Sequence, residues 1–351
     1  MSSRRTFTLA LLAFVGTFVE SAATGQDQPA GSRDSRRLMT PATQSSIDAG
    51  LLWLAAHQAE DGSFGTITRY RHNPGVAGLC GLALLASGST PDRGPYGEAV
   101  SRTVTYVLSC ARPSGYIVEE DWSYYHGPMY GHGFATMFLA EVYGMSPRDE
   151  VRDVLKRAVE LIVDSQNEHG GWRYTPDTKE ADISVTVCQA MALRAARNAG
   201  ISVPKETIDR LVGYIERSQN TDGGFRYRLL ETPESKFPRS AAALVALYTS
   251  GVHEGPVIDR GLDYLMQYVP GGPGSRNQEY YAYGQYYAVQ ATWHAGGKYW
   301  DVWFPAARDE LLQLQLSDGN WSDPWIGNEY ATAMALIVMQ LPNNLLPIFE
   351  R

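Results

Sequence analysis

The sequence predicts an all-α fold, a single α/α toroid in which about six helical hairpins close into a ring. The first observation is a repeated turn: SQNEHGGWRY at 165–174 and SQNTDGGFRY at 218–227 are identical at seven of ten positions. Related turns recur at a spacing of roughly 50 residues, which indicates a repeat architecture. Each turn separates an amphipathic segment from an apolar one, which is typical of an outer helix followed by an inner helix.

The shared turn consists of a Gln, one or two Gly and an aromatic residue. It occurs at 53–65, 165–174, 218–227 and 311–323. A further unit has Cys110 at the Gln position, and the unit at 260–272 continues into a Gly/Pro loop instead. In the two clearest units, Arg157 and Arg210 lie nine residues before the Gln. Gly permits positive φ and close backbone approach, Gln can bond free backbone groups at a neighbouring helix end, and the ring wedges between hairpins. We therefore expect these turns to be structural joints.

The segments on either side of each turn predict two rings of helices. The preceding segments are amphipathic, as at 152–166, and are expected to be outer helices. The following segments are apolar on most of their circumference and are expected to be buried; they lie at 75–88, 132–144, 184–200, 239–251, 283–297 and 329–341. Most of them end on Gly, as helix C-termini do. Closure of such a ring makes capping repeats unnecessary.

The N-terminus has the layout of a secretory signal peptide, predicted at 1–25. Arg4 and Arg5 precede an apolar run at 7–19, and small residues follow it. The run is too short for a comfortable membrane span, although an uncleaved anchor remains an alternative. Residues 26–44 are polar and are predicted to form a flexible leader, followed by the toroid at 45–345. We therefore expect a secreted or periplasmic protein that meets a membrane only through an uncleaved signal sequence.

The charge indicates which partners to expect, and the cysteines, histidines and motifs indicate which covalent bonds, metals and cofactors to expect. The net charge is −8, and no basic run occurs beyond the N-terminus, so nucleic acid is not expected to bind. Cys80 and Cys188 lie in apolar runs and are expected to be buried thiols, although one disulfide among the three cysteines is possible. No cofactor is expected. His126 and His132 lack a marked third ligand nearby, so no metal site is predicted.

The Gln–Gly–aromatic turn resembles the QW motif of the squalene cyclase and prenyltransferase superfamily, and the resemblance covers about 45–341. It implies a ring of helical hairpins around a central cavity that opens at the inner-helix N-termini. Squalene–hopene cyclases carry a DxDDT-like acidic segment at an inner-helix start. The corresponding text here is EADISVT at 180–186, which keeps Asp182 but has Ile183 where an acid is expected. The D-x-C zinc motif of protein prenyltransferases does not occur.

Asp182 and His132 are the candidate catalytic residues. Asp182 could act as an acid or stabilise charge, or it could only cap the helix that follows. His132 could perform acid/base work, or it could be a neutral, hydrogen-bonded histidine. Candidate substrate-binding residues lie near predicted inner-helix starts: His126, Tyr130, Arg239, Tyr283, Tyr287 and Glu329.

Three functions remain open for a toroid of this kind. The first is terpenoid-type chemistry, or binding of an apolar ligand, which an aliphatic cavity wall would favour. The second is a non-catalytic toroid that binds a lipid, a glycan or a protein, which a cavity plugged by side chains would favour. The third is a polysaccharide-active enzyme similar to some pectate lyases, which a wide, tyrosine- and acid-lined groove would favour.

Overall fold

The computed structural model describes residues 38–350 except 66–67, 122–126, 178, 273–274 and 276–278. The predicted signal peptide and most of the predicted leader lie outside the described residues. The described part contains twelve α-helices. The outer helices are α1 Pro41–Ala56, α3 Gly97–Ser109, α5 Asp149–Asp164, α7 Lys205–Arg217, α9 Pro256–Leu265 and α11 Gly297–Leu314. The inner helices are α2 Pro74–Leu85, α4 Pro128–Met145, α6 Ile183–Asn198, α8 Phe237–Thr249, α10 Tyr281–Ala295 and α12 Asn328–Gln340.

The six inner helices form a closed ring. Each inner helix packs against the next one along the chain, and α12 packs against α2. The described residues contain isolated β-bridges but no strand. The prediction of an all-α toroid of helical hairpins is therefore confirmed. Helix α1 already begins at Pro41, before the predicted domain start at residue 45. Within the described residues, every helix is too short or too polar to cross a lipid bilayer.

The two rings differ in how they are buried. Every residue of α2 is buried, because an inner helix packs on both inner neighbours and on its outer partner. The outer helix α5 instead buries one face, formed by Val151, Leu155, Ala158, Val159 and Ile162. Burial of each large aliphatic side chain contributes about 1.5–3 kcal/mol to folding. The amphipathic and apolar segments of the sequence thus correspond to the outer and inner rings.

In four of the repeated turns, a glutamine links the turn to a neighbouring outer helix. Gln166 donates from Nε2 to the carbonyl of Gly170 in its own turn, at 3.0 Å, and to that of Thr207 in α7, at 2.9 Å. Three other glutamines make the same pair of bonds, namely Gln58, Gln219 and Gln315. The last of these, Gln315, reaches Ser46 in α1 and so joins the last repeat to the first. The glutamine bonds the backbone near the end of a neighbouring helix, as predicted, but its partners are carbonyls near the helix start rather than the free N–H groups there.

The glycine that recurs in these turns is required both by its positive φ and by the close approach of the neighbouring backbone. Gly170 has φ +95°, and a Cβ added there would lie 2.1 Å from the carbonyl oxygen of Arg210. The corresponding Gly223 has φ +89° and would meet the carbonyl of Arg260 at 2.3 Å. Arg210 also donates to the carbonyl of Asn167 in the preceding turn. Arg210, which lies nine residues before Gln219, therefore belongs to the joint with the preceding repeat.

The aromatic residue of each turn is buried between hairpins. Trp172 and Phe225 are 1% and 0% exposed. The backbone N–H of Trp172 donates to the Thr186 hydroxyl at 3.0 Å, and that of Phe225 donates to the Ser240 hydroxyl at 2.9 Å. Trp321 makes the equivalent bond to Thr332. The repeated turns therefore have equivalent surroundings.

The C-terminal segment packs at the other end of the ring, where the inner helices end. Leu346, Ile348 and Phe349 are buried there. The Trp293 indole donates to the carbonyl of Phe349 at 2.9 Å, and the Ile348 N–H donates to the Glu141 carboxyl at 3.4 Å. Cys80, Cys110 and Cys188 are all free thiols, and Cys80 and Cys188 are buried as predicted.

Candidate ligand-binding cavity

A cavity of about 860 Å³ lies at the end of the ring where the inner helices begin. Its wall consists of the first residues of these helices and the loops that precede them. Tyr280, on the wall, is 67% exposed, so the cavity opens to solvent. The predicted position of the central cavity is confirmed.

The wall combines aromatic, apolar and charged side chains. Among the described residues, eight tyrosines line it: Tyr70, Tyr130, Tyr174, Tyr227, Tyr268, Tyr280, Tyr283 and Tyr330. Apolar side chains complete part of the wall, including Val76, Leu79, Phe134, Phe237 and Ile326. Charged side chains come from the starts of α8 and α10: Glu234, Lys236, Arg239 and Glu279. Because a tyrosine has an apolar ring and a polar hydroxyl, this wall suits an amphipathic ligand.

Two of these tyrosines are brought to the wall by the repeated turn itself. The carbonyl of Tyr174 accepts the N–H of Met129 at 3.0 Å, and the carbonyl of Tyr227 accepts the N–H of Ile183 at 2.9 Å. Each turn is thereby tied to the start of the preceding inner helix. The candidate residues chosen from the sequence did not include Tyr174 and Tyr227. The Arg-Tyr pair that ends both repeated ten-residue stretches could have identified them.

Asp182 is the N-cap of α6, as the capping interpretation of the sequence expected. Its Oδ1 accepts the N–H groups of Ser184 and Val185, both at 2.9 Å. Its Oδ2 accepts an N–H from Arg173 Nη1 at 2.5 Å. The carboxyl is 0% exposed and lies behind the cavity wall. Burial raises the pKa of Asp182, while the two N–H groups and Arg173 act in the opposite direction. Three donors around one carboxyl are the geometry of an ionised carboxylate, and the pairing with Asp182 raises the pKa of Arg173.

Arg173 extends this buried pair to the cavity wall. Its Nη1 also donates to the Tyr227 hydroxyl at 2.6 Å, and the Tyr227 and Tyr174 hydroxyls lie 3.0 Å apart. The guanidinium carbon lies 4.0 Å from the centre of the Tyr174 ring, in a cation–π contact. Burial is the main reason that the pKa of Tyr227 is raised, so this phenol stays protonated at neutral pH. Asp182, Arg173 and the two tyrosines therefore form one hydrogen-bonded network.

His132 lies away from the cavity, in α4, beside the turn that connects α3 with α4; these two helices form the second repeat. Its Nδ1 accepts the N–H of Ile117 at 3.1 Å, and Nε2 faces the carbonyl of Ala158 at 3.3 Å. The ring is 0% exposed, and burial lowers the pKa of His132 to about 4. The structure therefore places a neutral histidine with both nitrogens on backbone partners, which leaves neither nitrogen for a ligand.

The other candidates from the sequence divide between wall and interior. Tyr130, Arg239 and Tyr283 line the cavity, whereas Tyr287 and Glu329 are buried in the helical interior. His126 lies outside the described residues. The Arg239 guanidinium donates to the carbonyls of Phe225, at 3.0 Å, and Glu234, so it also braces the loop before α8. The wall residues that the sequence-based set omitted are chiefly tyrosines, namely Tyr70, Tyr174, Tyr227, Tyr268, Tyr280 and Tyr330.

Across the part of the chain that the structure describes, no group of three or more His, Cys, Asp or Glu side chains could hold a metal ion.

Comparisons with known proteins identify proteins that are similar to this chain in sequence or in fold. The chain is 28% identical to the drimenyl diphosphate synthase of Streptomyces showdoensis over 187 residues, which are 53% of this chain and 32% of that enzyme. The match therefore spans about a third of the relative's length. A type II terpene cyclase from Scytonema superposes with a TM-score of 0.57 at 13% identity, over 88% of this chain and 100% of that chain.

An α-1,6-mannanase from Salegentibacter, solved with α-1,6-mannotriose, superposes with a TM-score of 0.64 at 8% identity, over 86% of this chain and 99% of that chain. At such low identities, these two likenesses show the shared fold alone. The family described as the prenyltransferase alpha-alpha toroid domain matches residues 53–268, which is more than half of the chain. The protein therefore belongs to the prenyltransferase α/α toroid domain family.

Proposed function

We propose that this protein binds a neutral, hydroxyl-rich ligand, an oligosaccharide, in its central cavity. The observation that carries the proposal is the wall of eight tyrosines, among the described residues, around one open cavity of about 860 Å³. Tyrosine rings offer flat apolar faces to the C–H groups of a sugar, and their hydroxyls offer hydrogen bonds to its oxygens. The cavity is open and is lined by tyrosines and acids, which is the arrangement expected of a glycan-active toroid.

The proposal concerns binding, because the carboxylates of the described wall are already paired. Glu234 lies 3.3 Å from Arg239, and Glu279 lies 3.0 Å from Lys236. Both carboxylates are mostly exposed. A glycoside hydrolase uses two carboxyl groups that flank the scissile bond, one of them with a raised pKa. The mannanase that shares the fold was solved with a neutral trisaccharide, which supports the ligand class without supporting hydrolysis.

A glycan ligand also fits the predicted export. The sequence-based signal peptide at 1–25 remains a prediction, and we propose a secreted or periplasmic location on that basis. N-terminal sequencing of the protein from its native host should find a mature chain that starts after residue 23 or 25. An intact N-terminus in a cytoplasmic fraction would contradict this location.

A second candidate is an apolar, terpenoid-like ligand. It is favoured by the apolar part of the wall, which includes Val76, Leu79 and Ile326, and by the similarity to drimenyl diphosphate synthase. Acid-catalysed cyclisation would require a carboxylic acid that holds a proton in the cavity. Asp182 is instead paired with Arg173 behind the wall, so this candidate is limited to binding unless that pair opens.

Isothermal titration calorimetry of the purified mature chain tests both candidates. The probes are α-1,6-mannotriose, cellotriose and maltotriose as neutral sugars, trigalacturonate as an acidic sugar, and geranylgeraniol as the apolar ligand. We expect saturable binding of at least one neutral trisaccharide. Binding of geranylgeraniol alone would favour the second candidate and overturn the first.

Two tyrosines of α10 provide a matched pair of variants for this experiment. Tyr283 lines the cavity, whereas Tyr287 is buried in the core. Tyr283→Phe removes a hydroxyl from the wall and should weaken sugar binding several-fold, because one hydrogen bond contributes about 0.5–1.5 kcal/mol. Tyr287→Phe removes a hydroxyl from the same helix outside the cavity and should leave binding unchanged.

A further inference from the structure

Arg173 connects a buried helix cap with the surface of the cavity. Its side chain is only 13% exposed, and its Nη1 donates both to Asp182, at 2.5 Å, and to the Tyr227 hydroxyl, at 2.6 Å. The guanidinium also lies against the rings of Tyr174 and Tyr227, at 4.0 and 5.4 Å from their centres. These contacts hold the Arg173 side chain from several directions.

The position of Tyr227 is fixed just as closely. Its carbonyl accepts the N–H of Ile183 at the start of α6, and the Arg239 guanidinium lies 5.9 Å from its ring centre, in addition to Arg173. The hydroxyl lies 3.0 Å from that of Tyr174. Both tyrosines line the cavity. The backbone, the ring and the hydroxyl of Tyr227 are therefore each held by a named partner.

The chemistry of arginine determines the direction of these hydrogen bonds. A guanidinium can only donate, so the Tyr227 oxygen must accept from Arg173. The Tyr227 proton is consequently directed away from Arg173, towards the Tyr174 oxygen or into the cavity. A hydroxyl that accepts from a cation becomes a stronger donor itself, because hydrogen bonds in a chain polarise one another.

The charge around Arg173 is balanced. Asp182 lies 2.5 Å from its Nη1, and Glu180 lies 3.6 Å from its Nε; Glu180 in turn pairs with Arg228 at 3.0 Å. Arg228 also pairs with Glu231 at 3.0 Å, and Arg239, near the Tyr227 ring, pairs with Glu234 at 3.3 Å. Every cation around Tyr227 therefore has a carboxylate partner, and the polarised hydroxyl suits a neutral acceptor such as a sugar hydroxyl or ether oxygen rather than an anion.

We propose that Arg173 is a positioning residue that holds the Tyr227 hydroxyl as a hydrogen-bond donor, and that Tyr227 thereby selects ligands with a neutral acceptor oxygen at this point of the wall. The ligand part of this inference rests on the proposed function. The positioning part is a property of the protein alone, and it can be measured without a ligand.

The ligand-free test uses NMR of protein labelled with ¹³C at tyrosine Cζ, a carbon whose shift reports on the hydrogen bonding of the phenol. Tyr227→Phe identifies the Tyr227 signal by its loss, and Tyr283→Phe identifies a control signal on another part of the wall. In Arg173→Lys, we expect the Tyr227 signal to move while the Tyr283 signal stays in place. A Tyr227 signal that is unchanged in a folded Arg173→Lys protein would overturn the positioning role.

The ligand test uses α-1,6-mannotriose as the probe. Tyr227→Phe and Arg173→Lys should each weaken its binding about tenfold, because a hydrogen bond to a polarised or charged group contributes on the order of 1.4 kcal/mol or more. The double variant should bind no more weakly than the weaker single variant, because both changes remove the same interaction. Additive losses, or wild-type affinity in Arg173→Lys, would overturn the selective role.

Tyr268→Phe is the control for this cycle. Tyr268 is also on the wall, but its hydroxyl pairs with that of Tyr264 at 3.1 Å, so its effect should add to that of Arg173→Lys. If the wild-type protein binds none of the sugars, the proposed function fails, and the NMR result still decides whether Arg173 positions Tyr227. Thermal unfolding of every variant, followed by circular dichroism, confirms that each is folded at the temperature of measurement.

Discussion

The Nδ1 of His132 accepts the backbone N–H of Ile117 at 3.1 Å, and this bond attaches the second turn of the ring to α4. In three other repeats, a hydroxyl near the start of the inner helix accepts the equivalent N–H; these residues are Thr186, Ser240 and Thr332. His132 is thus the one member of this set of four that can gain a proton at moderately acidic pH. The joint of the second repeat is therefore the acid-sensitive joint among the four.

Protonation of His132 should destabilise the fold in acid. Its folded-state pKa is about 4, below the ordinary value of 6.5, because burial disfavours the cation. The contribution of the neutral ring is complete above pH 6.5 and is lost as the pH falls towards 4. His132→Asn keeps an acceptor but cannot be protonated in this range. Relative to this variant, the wild-type free energy of unfolding should fall by up to about 3 kcal/mol from pH 7 to pH 4.

Urea unfolding at several pH values measures this difference. His57→Asn changes an exposed histidine and serves as the control. Its curve shows how far the loss of one exposed histidine, hydrogen-bonded to the Trp53 carbonyl, changes stability by itself. A wild-type curve that runs parallel to that of His132→Asn between pH 7 and pH 4 would contradict the assignment.

Ionisation of Glu141 should destabilise the fold at alkaline pH. Burial raises its pKa from 4.5 to about 8, and its carboxyl faces the N–H of Ile348 in the C-terminal segment. Since the folded state favours the protonated acid, the stability that Glu141 contributes is complete below pH 4.5 and is lost as the pH rises through 8. Glu141→Gln should match the wild type near pH 4 and exceed it at pH 9 by up to about 4 kcal/mol.

Guanidinium unfolding at pH 4, 7 and 9 checks this prediction. Glu350→Gln removes an exposed carboxylate near Glu141 and should change stability by only a few tenths of a kcal/mol. Equal stabilities of Glu141→Gln and the wild type at pH 9 would show that the carboxyl is not held protonated.

The steric requirement of the joint can be separated from its conformational requirement with two glycines. Gly170 and Gly200 both have positive φ, at +95° and +82°. An added Cβ at Gly170 would lie 2.1 Å from the Arg210 carbonyl oxygen, whereas at Gly200 it would meet nothing within 4 Å. Gly200→Ala should therefore lose about 1 kcal/mol from backbone strain alone. Gly170→Ala should lose at least about 3 kcal/mol, because the outer helix must also move.

Thermal and denaturant unfolding of the two variants give this comparison directly. The informative quantity is the difference between them, since the conformational effect is common to both. Equal losses would mean that the turn can move away from α7 without disturbing the ring, and would argue against the close approach at the joint.

The pair of Asp182 and Arg173 should be more important for stability than an exposed ion pair. Asp182→Asn leaves a buried arginine without its counter-ion, and such changes remove about 3–5 kcal/mol. Glu180 contacts the same arginine at 3.6 Å but is 48% exposed, so Glu180→Gln should remove at most about 1 kcal/mol. Chemical denaturation at pH 7 measures both. A fully stable Asp182→Asn protein would indicate that the carboxyl is protonated or free, and would reopen the acid role predicted from the sequence.

Whether a residue near an inner-helix start reaches the cavity depends on its rotation about the helix axis and its depth along the helix. Tyr283 and Tyr287 are one helical turn apart, and the sequence pattern places both near one face of α10. Tyr283 reaches the cavity wall, while Tyr287 lies one turn deeper, in the core, with its hydroxyl 3.7 Å from the Cys188 sulfur. Glu329 is likewise buried in the first turn of α12. Nearness to an inner-helix start was therefore a necessary property of wall residues but not a sufficient one.

The ring of hairpins can be predicted from the sequence, because the information for each joint is local and is repeated. The Gln, the Gly and the aromatic residue bond or pack within their own turn and against the next hairpin, so their spacing alone predicts the architecture. Which side chains line the cavity, and which pair behind its wall, depends instead on how the repeats pack against one another. Inner helices are apolar on nearly all sides, so no periodicity marks the face that borders the hollow, and the contacts of Arg173 with Asp182 and Tyr227 form only when neighbouring repeats close around it.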